Sequence, residues 1–139
     1  MRKTELLSGR VKKLTGTSLD SNRYNFLDLK AGLKQKGYAF KTTSDTEVLC
    51  AAYLEYGDAF VSKLNGMFAF AIWDNVKQEL FVARDRIGKK PLYYSFFNSD
   101  IVFASELKAM LALPSIPKEI RLDAVHDFFA YQYIPDPKT

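Results

Sequence analysis

The chain has 139 residues, of which 47% are hydrophobic and 26% charged, and its formal net charge is +4. This length and composition predict one globular domain and exclude a disordered polypeptide. A single cysteine, Cys50, excludes an intrachain disulfide and favours a reducing compartment, while no apolar run reaches the roughly 18 residues of a membrane span. With no apolar signal-peptide core at the N-terminus, these features predict a cytoplasmic protein.

The N-terminal segment, residues 1–23, shows no clear hydrophobic period. Its first thirteen positions hold five basic residues: Arg2, Lys3, Arg10, Lys12 and Lys13. Such an arm can attract nucleic acid or acidic lipid, but a solvated terminus is the simpler interpretation. Because the charge is concentrated at the terminus and lacks interleaved aromatic residues, we expect no nucleic-acid partner and no membrane partner.

Periodicity predicts four elements in the next part of the chain: a helix at 26–37, a strand at 38–42 and helices at 46–56 and 58–63. The second helix opens with a Ser44-x-x-Glu47 capping box, in which the Ser44 hydroxyl accepts from the N–H three residues on and Glu47 reaches back. Gly57 supplies its positive-φ stop. Cys50 lies inside this helix, and a buried core thiol is favoured over a reactive one because nothing beside it stabilises a thiolate.

The rest of the chain predicts four antiparallel strands followed by two helices: strands at 67–73, 80–83, 91–97 and 101–104, and helices at 105–113 and 123–130. Both alternating faces of the first two strands are apolar, which indicates strands covered on two sides. Ser105 is the predicted cap of the first of these helices. Helices before and after a block of four antiparallel strands buried on both faces are typical of an α+β sandwich.

Side chains that carry chemistry are few. A Ser–His–Asp arrangement needs a histidine, and the only one, His126, lies beside Asp127 on the last predicted helix, where an ordinary helix residue is the simpler interpretation. No Cys/His cluster has metal-ligand spacing, and no glycine loop has phosphate-binding spacing. Residues 84–90 place four cations around Asp85 at a strand end; a solvated turn that neutralises Asp85 locally is favoured over an anion or partner site.

Three motifs carry a family resemblance: Ser-Asp-Thr-Glu at 44–47, Arg-Asp-Arg-Ile-Gly-Lys-Lys-Pro-Leu-Tyr-Tyr at 84–94 and Ala-Ser-Glu-Leu-Lys-Ala at 104–109. Together they resemble the glutaminase domain of glutamine-dependent asparagine synthetases, a class II glutamine amidotransferase domain of the Ntn-hydrolase type. The resemblance implies a four-layer αββα sandwich, here incomplete at the N-terminus. It divides the chain into an atypical segment at 1–23, a partial glutamine amidotransferase type 2 domain at 24–131 and the start of a linker at 132–139.

In this family an N-terminal cysteine attacks the side-chain amide of glutamine, with its own α-amino group as base. The resemblance implies that Asp45 receives the amino group of the substrate glutamine. Residues 24–26, Tyr-Asn-Phe, match the end of the family's oxyanion-stabilising segment, but the preceding residues 20–23 depart from it, and residue 2 is arginine. We therefore predict no catalytic residue and no metal ligand in this chain.

These features predict a fragment of an asparagine synthetase glutaminase domain that does not hydrolyse glutamine alone. The intact family protein amidates aspartate with ATP and with ammonia from glutamine. Its synthetase domain, the site of ATP and Mg²⁺, is absent from this chain, so we expect no cofactor here. The alternative is a degenerate, non-catalytic module that binds glutamine or a protein partner. Missing first strands would leave the strands at 67–73 and 80–83 uncovered, so we also expect self-association.

Overall fold

The computed structural model describes residues 11–16, 25–97, 99–135 and 138, and of residues 11–16 it describes the backbone alone. Within these residues the strands are β1 (Val11–Gly16), β2 (Ala69–Asp74), β3 (Glu79–Arg84), β4 (Tyr93–Phe97) and β5 (Asp100–Ala104). The helices are α1 (Phe26–Gln35), α2 (Asp45–Tyr56), a 3₁₀ helix (Gly57–Lys63), α3 (Leu107–Leu111) and α4 (Leu122–Tyr131). Helices combined with small antiparallel sheets fit the predicted α+β class.

The described strands form two antiparallel sheets, one with the order β1-β2-β3 and one with the order β4-β5. β2 is the central strand of the first sheet. On one side Ala69 lies opposite Arg84 and Asp74 lies opposite Glu79 in β3. On the other side β1 runs antiparallel to β2, with Val11 opposite Asp74.

β1 lies in the N-terminal segment for which the sequence predicts no regular structure. It pairs with an edge of β2, so the expectation that the strand at 67–73 has uncovered edges is wrong on this side. The physical reason is that β1 pairs with β2 through main-chain hydrogen bonds. These bonds form whether or not the sequence of the strand has a hydrophobic period. The rest of the predicted atypical segment, residues 1–10 and 17–23, lies outside the described residues.

Two-sided burial holds for β2, of which every residue except the partly buried Trp73 is buried. β3 is only half-buried along its middle, and both β4 and β5 are exposed or half-buried throughout. The prediction of four strands buried on both faces is therefore wrong for all but one of them. An apolar pattern records which faces a strand can bury, whereas the layers that cover those faces depend on the rest of the fold.

The core lies where α2 and the 3₁₀ helix pack against one face of the β2–β3 hairpin. The ring of Phe60, which is fully buried, is central to it. Its centroid lies 5.7 Å from Phe70 on β2, 5.6 Å from Phe81 on β3 and 6.0 Å from Tyr53 on α2. These aromatic contacts join the helical layer to the sheet.

The predicted helices at 26–37, 46–56 and 123–130 are confirmed, with their ends displaced by a residue or two, and Gly57 follows α2 with φ of 59°. The predicted strand at 38–42 is wrong, because this stretch is a loop whose Thr42 carbonyl accepts from the Lys30 side chain at 2.8 Å. The prediction that Ser105 caps the following helix is also wrong, since α3 starts after Glu106 and no side chain caps it. No helix in the described part of the chain is long and apolar enough to cross a membrane.

Replacement of Phe60 by alanine tests the aromatic core. We expect Phe60→Ala to lower the free energy of unfolding by about 3–5 kcal/mol, because it removes a fully buried ring and leaves a cavity. Urea denaturation followed by circular dichroism measures the loss. The matched control is Phe96→Ala on β4, whose ring is 74% exposed, and a change within about 0.5 kcal/mol is expected there. Equal losses in the two variants would contradict this view of the core.

Candidate functional site

The start of α2 holds the one residue that the family resemblance assigns to substrate. Asp45 is the first residue of the helix and is half-buried. The hydroxyl oxygens of Ser44 and Thr46 each lie 3.4 Å from Asp45 Oδ1, and the backbone N–H of Thr46 donates to Ser44 Oγ at 3.2 Å. The result is a carboxylate between two hydroxyl groups at a helix N-terminus, where the helix dipole favours negative charge.

Glu47 holds the loop that leads into this helix start. Its carboxylate accepts from the backbone N–H groups of Lys41 at 2.8 Å and Thr42 at 2.9 Å, and from the Thr42 hydroxyl at 2.8 Å. Burial raises the pKa of the Glu47 carboxyl, but these hydrogen bonds and the nearby Lys30 outweigh burial and lower the pKa below its usual value. The predicted capping-box geometry is wrong: Glu47 binds the preceding loop, and Ser44 accepts from the N–H two residues on.

A second concave feature lies at the end of the 3₁₀ helix that follows α2. This cationic cleft has a volume of about 560 Å³ and lies between two segments, residues 61–68 and residues 84–89. Asn25 fixes the first segment, since its amide Nδ2 donates to the Lys63 carbonyl at 2.6 Å and its Oδ1 accepts from Asn65 N–H at 2.9 Å. The sequence pattern aligns Asn25 with the end of the oxyanion-stabilising segment and gives no sign of this structural role.

Arg84 and Gly88 shape the second wall of the cleft. The guanidinium of Arg84 donates from Nε to the Lys90 carbonyl at 2.6 Å and from Nη2 to the Gly88 carbonyl. Gly88 has φ of 66°, and a Cβ at this position would lie 2.8 Å from Arg84 Cζ. Only glycine therefore fits here without displacing the guanidinium that closes the loop.

Asp85 ties this loop to Phe68, the residue that precedes β2. Its buried carboxylate accepts from the backbone N–H groups of Phe68 at 3.3 Å, Lys89 at 2.9 Å and Lys90 at 3.0 Å. Burial raises the pKa of the Asp85 carboxyl, but the backbone N–H groups outweigh burial and lower the pKa below its usual value. The predicted turn in which neighbouring cations neutralise Asp85 is wrong, because backbone N–H groups satisfy it instead.

The structure does not bring the other predicted residues into one site. Asp45 does not line the cleft, and neither does any other residue of α2. Cys50 is buried in the core, as favoured from the sequence.

His126 and the remaining candidates add no further chemistry. The side chain of His126 is 81% exposed and its Nδ1 lies 3.6 Å from Asp127, which accepts from Lys138. Residues 20–24 lie outside the described residues, as do 136, 137 and 139 of the predicted linker. Among the side chains that the structure describes, no three His, Cys, Asp or Glu residues cluster as metal ligands would.

Comparison with known proteins finds one family and a set of long relatives. Residues 11–139 match the family described as glutamine amidotransferase domain. The chain is 44% identical over 116 residues to asparagine synthetase [glutamine-hydrolyzing] 1 of Bacillus subtilis, covering 84% of this chain and 18% of that protein. It is also 44% identical over 106 residues to asparagine synthetase [glutamine-hydrolyzing] 3 of the same organism, covering 76% of this chain and 17% of that protein.

A differently named relative is amidase chry2 of Gibberella zeae, which is 40% identical over 95 residues, 68% of this chain and 14% of the relative. The chain thus spans less than a fifth of the length of each of these three proteins. These matches confirm the resemblance that the three sequence motifs predict.

Replacement of Asp85 tests the fixed wall of the cleft through its pH dependence. We expect Asp85→Asn to lower the free energy of unfolding at pH 7 by about 1.5–3 kcal/mol, because the amide presents an NH₂ group to backbone donors that bind the carboxylate. The folded-state pKa of Asp85 lies below its unfolded value of about 3.9, so its stabilisation is present above that pH and is lost as the pH falls through the folded-state pKa. The difference in the free energy of unfolding between wild type and Asp85→Asn should therefore become smaller below about pH 4.

Urea midpoints measured from pH 7 down to the acid limit of folding provide the comparison. The control is Asp100→Asn at the exposed start of β5, where we expect little change at any pH. A difference in the free energy of unfolding between wild type and Asp85→Asn that does not change with pH would contradict the role of the carboxylate charge.

Proposed function

Because the chain belongs to the family of glutamine amidotransferase domains, we propose that it is the glutaminase part of a protein of the asparagine synthetase type. In the proposed reaction of the whole protein, ammonia released from glutamine is used for the ATP-dependent amidation of aspartate. The names of the two Bacillus subtilis relatives, which describe glutamine-hydrolysing asparagine synthetases, support this assignment.

The observation that carries the proposal is the geometry around Asp45. An α-amino group is a cation with three N–H donors, and a carboxylate is the side chain that recognises it best. Asp45 supplies this carboxylate, and the hydroxyls of Ser44 and Thr46, which donate to its Oδ1 at 3.4 Å, orient it at the start of α2. Asp45 is partly accessible, so a glutamine ammonium can reach it from solvent.

We further propose that this chain by itself recognises glutamine without hydrolysing it. Amide hydrolysis in this family requires a cysteine thiol that can reach the substrate. The single cysteine of this sequence, Cys50, lies one and a half turns into α2 and is buried in the hydrophobic core. A thiol in that position cannot attack a substrate held at the surface by Asp45.

Three finer features belong to the same proposal. The helical layers and the two antiparallel sheets are interpreted as parts of a four-layer αββα Ntn-hydrolase sandwich, with the domain at 24–131 and a linker from 132. The partner is a synthetase domain, which supplies the site of ATP and Mg²⁺. The described residues of this chain do not fit that site, since they offer no cluster of three metal-ligating side chains. A cytoplasmic location stays a prediction.

Calorimetric titration with glutamine tests the proposal. We expect the chain to bind glutamine and Asp45→Asn to weaken binding by about tenfold or more, as is typical for a lost charge-assisted hydrogen bond. The matched control is Asp58→Asn at the exposed start of the 3₁₀ helix, which should bind like wild type. Ammonia release, measured in parallel, should not exceed that of buffer.

Each outcome separates the alternatives. Unchanged glutamine binding by Asp45→Asn would reject Asp45 as the ammonium site. Ammonia release in proportion to protein concentration would reject the proposal that the chain alone is inactive. Glutamine bound tightly and specifically, with no release of ammonia from a longer form that carries both an N-terminal cysteine and the synthetase part, would favour the alternative of a non-catalytic binding module.

Self-association is a further proposal, based on apolar side chains that the fold leaves exposed. Tyr94 on β4 is 64% exposed, and Phe129 on α4 is 76% exposed. Exposed aromatic side chains on several elements favour contacts between copies of a chain. We expect light scattering after size exclusion to give a mass above 15.9 kDa and the Phe129→Ser variant to shift toward the monomer. A wild-type monomer at every concentration would contradict this expectation.

A further inference from the structure

We propose that the cationic cleft between residues 61–68 and 84–89 binds a small organic anion, meaning a carboxylate or phosphate group attached to an apolar body. The cleft volume of about 560 Å³ lies within the range of about 300–1,000 Å³ that is usual for small-molecule sites. This site is separate from Asp45, which does not line the cleft. The inference therefore goes beyond the proposed glutaminase role and does not depend on it.

The charge of the cleft favours an anion. Residues 84–90 carry four basic side chains and one carboxylate. The carboxylate, Asp85, also lines the cleft, but it is buried and bound by backbone N–H groups. It is outnumbered among the lining residues by the cationic side chains of Arg84, Arg86 and Lys89. The side chains of Arg86 and Lys89 are exposed and line the cleft, and no described carboxylate forms a salt bridge with either of them. An arginine and a lysine that line the same cleft are well suited to a carboxylate or phosphate group.

The apolar part of the ligand is inferred from the remaining lining residues. Leu64 and Met67 are half-buried and contribute hydrocarbon surface on one wall. Ile87 lines the other wall and is 83% exposed. A purely inorganic anion would leave this surface in water, whereas an apolar body would cover it and gain hydrophobic free energy. The mixture of apolar walls and a few charged groups is typical of sites for organic ligands.

Both walls of the cleft are fixed before any ligand arrives. Asn25 binds the backbone of Lys63 and Asn65 on one side. On the other side Arg84 binds the carbonyl of Lys90, and Asp85 binds the N–H groups behind the loop. A site held by side-chain-to-backbone hydrogen bonds loses little conformational entropy on binding, which favours affinity.

Binding of three probes to the full chain tests the proposal: 1-naphthyl phosphate, inorganic phosphate and 1-naphthol. We expect 1-naphthyl phosphate to bind more tightly than either of the others, because it alone satisfies both the cations and the apolar walls. Arg86→Gln and Lys89→Gln should each weaken its binding, the former by about tenfold, and added salt should weaken it in wild type. The control is Lys118→Gln, an exposed lysine outside the cleft, which should bind like wild type.

Three results would overturn the proposal. Wild-type affinity in both Arg86→Gln and Lys89→Gln, with unchanged circular dichroism, would show that the cleft does not hold the anion. An equal loss in Lys118→Gln would indicate unspecific attraction to net positive charge. Inorganic phosphate that binds as tightly as 1-naphthyl phosphate would reject the organic class of ligand. Asp45→Asn should bind 1-naphthyl phosphate like wild type, so failure here is distinguishable from failure of the glutamine proposal.

Discussion

Two buried carboxylates hold the two ends of the β2–β3 hairpin, and the rest of the described fold is arranged around this hairpin. Asp74 is fully buried at the turn, where its Oδ1 accepts from the backbone N–H groups of Val76 at 2.9 Å and Lys77 at 3.1 Å, and Tyr53 on α2 donates to its Oδ2 at 3.4 Å. Asp85 performs the equivalent task where β3 ends. A buried charge is costly unless hydrogen bonds satisfy it, so both ends of the hairpin are restricted to the geometry that supplies these donors.

This constraint determines where the two candidate sites lie. α2 contacts the hairpin through Tyr53, and the 3₁₀ helix that follows α2 contacts it through Phe60. The glutamine site is proposed at Asp45, the first residue of α2, and the anion site at the end of the 3₁₀ helix. Because backbone N–H groups satisfy Asp85, the side chains of Arg86 and Lys89 are directed outward instead of toward the carboxylate.

Several residues of the motifs that identify the family stabilise the local backbone. In Ser-Asp-Thr-Glu, Ser44 accepts from the helix N–H and Glu47 holds the preceding loop, which leaves Asp45 as the residue proposed to meet substrate. In the motif that begins at residue 84, the side chains of Arg84 and Asp85 and the absent side chain of Gly88 all serve the loop itself. The motifs of this family therefore contain residues that hold the local backbone as well as residues that are proposed to bind a ligand.

The sequence by itself determined the features that depend on neighbours along the chain. Helical periodicity located α1, α2 and α4, and the positive φ required after α2 located Gly57, because these signals arise within a few residues. Tertiary structure alone decided the pairing of β1 with β2, the contact of Asn25 with Lys63, 38 residues away, and the backbone donors that surround Asp85. Such contacts join segments far apart in sequence, and a carboxylate or amide side chain has the same local pattern whatever partner it finds. The sequence therefore predicted which polar residues belong to the motifs, and only the fold determined which groups those residues bind.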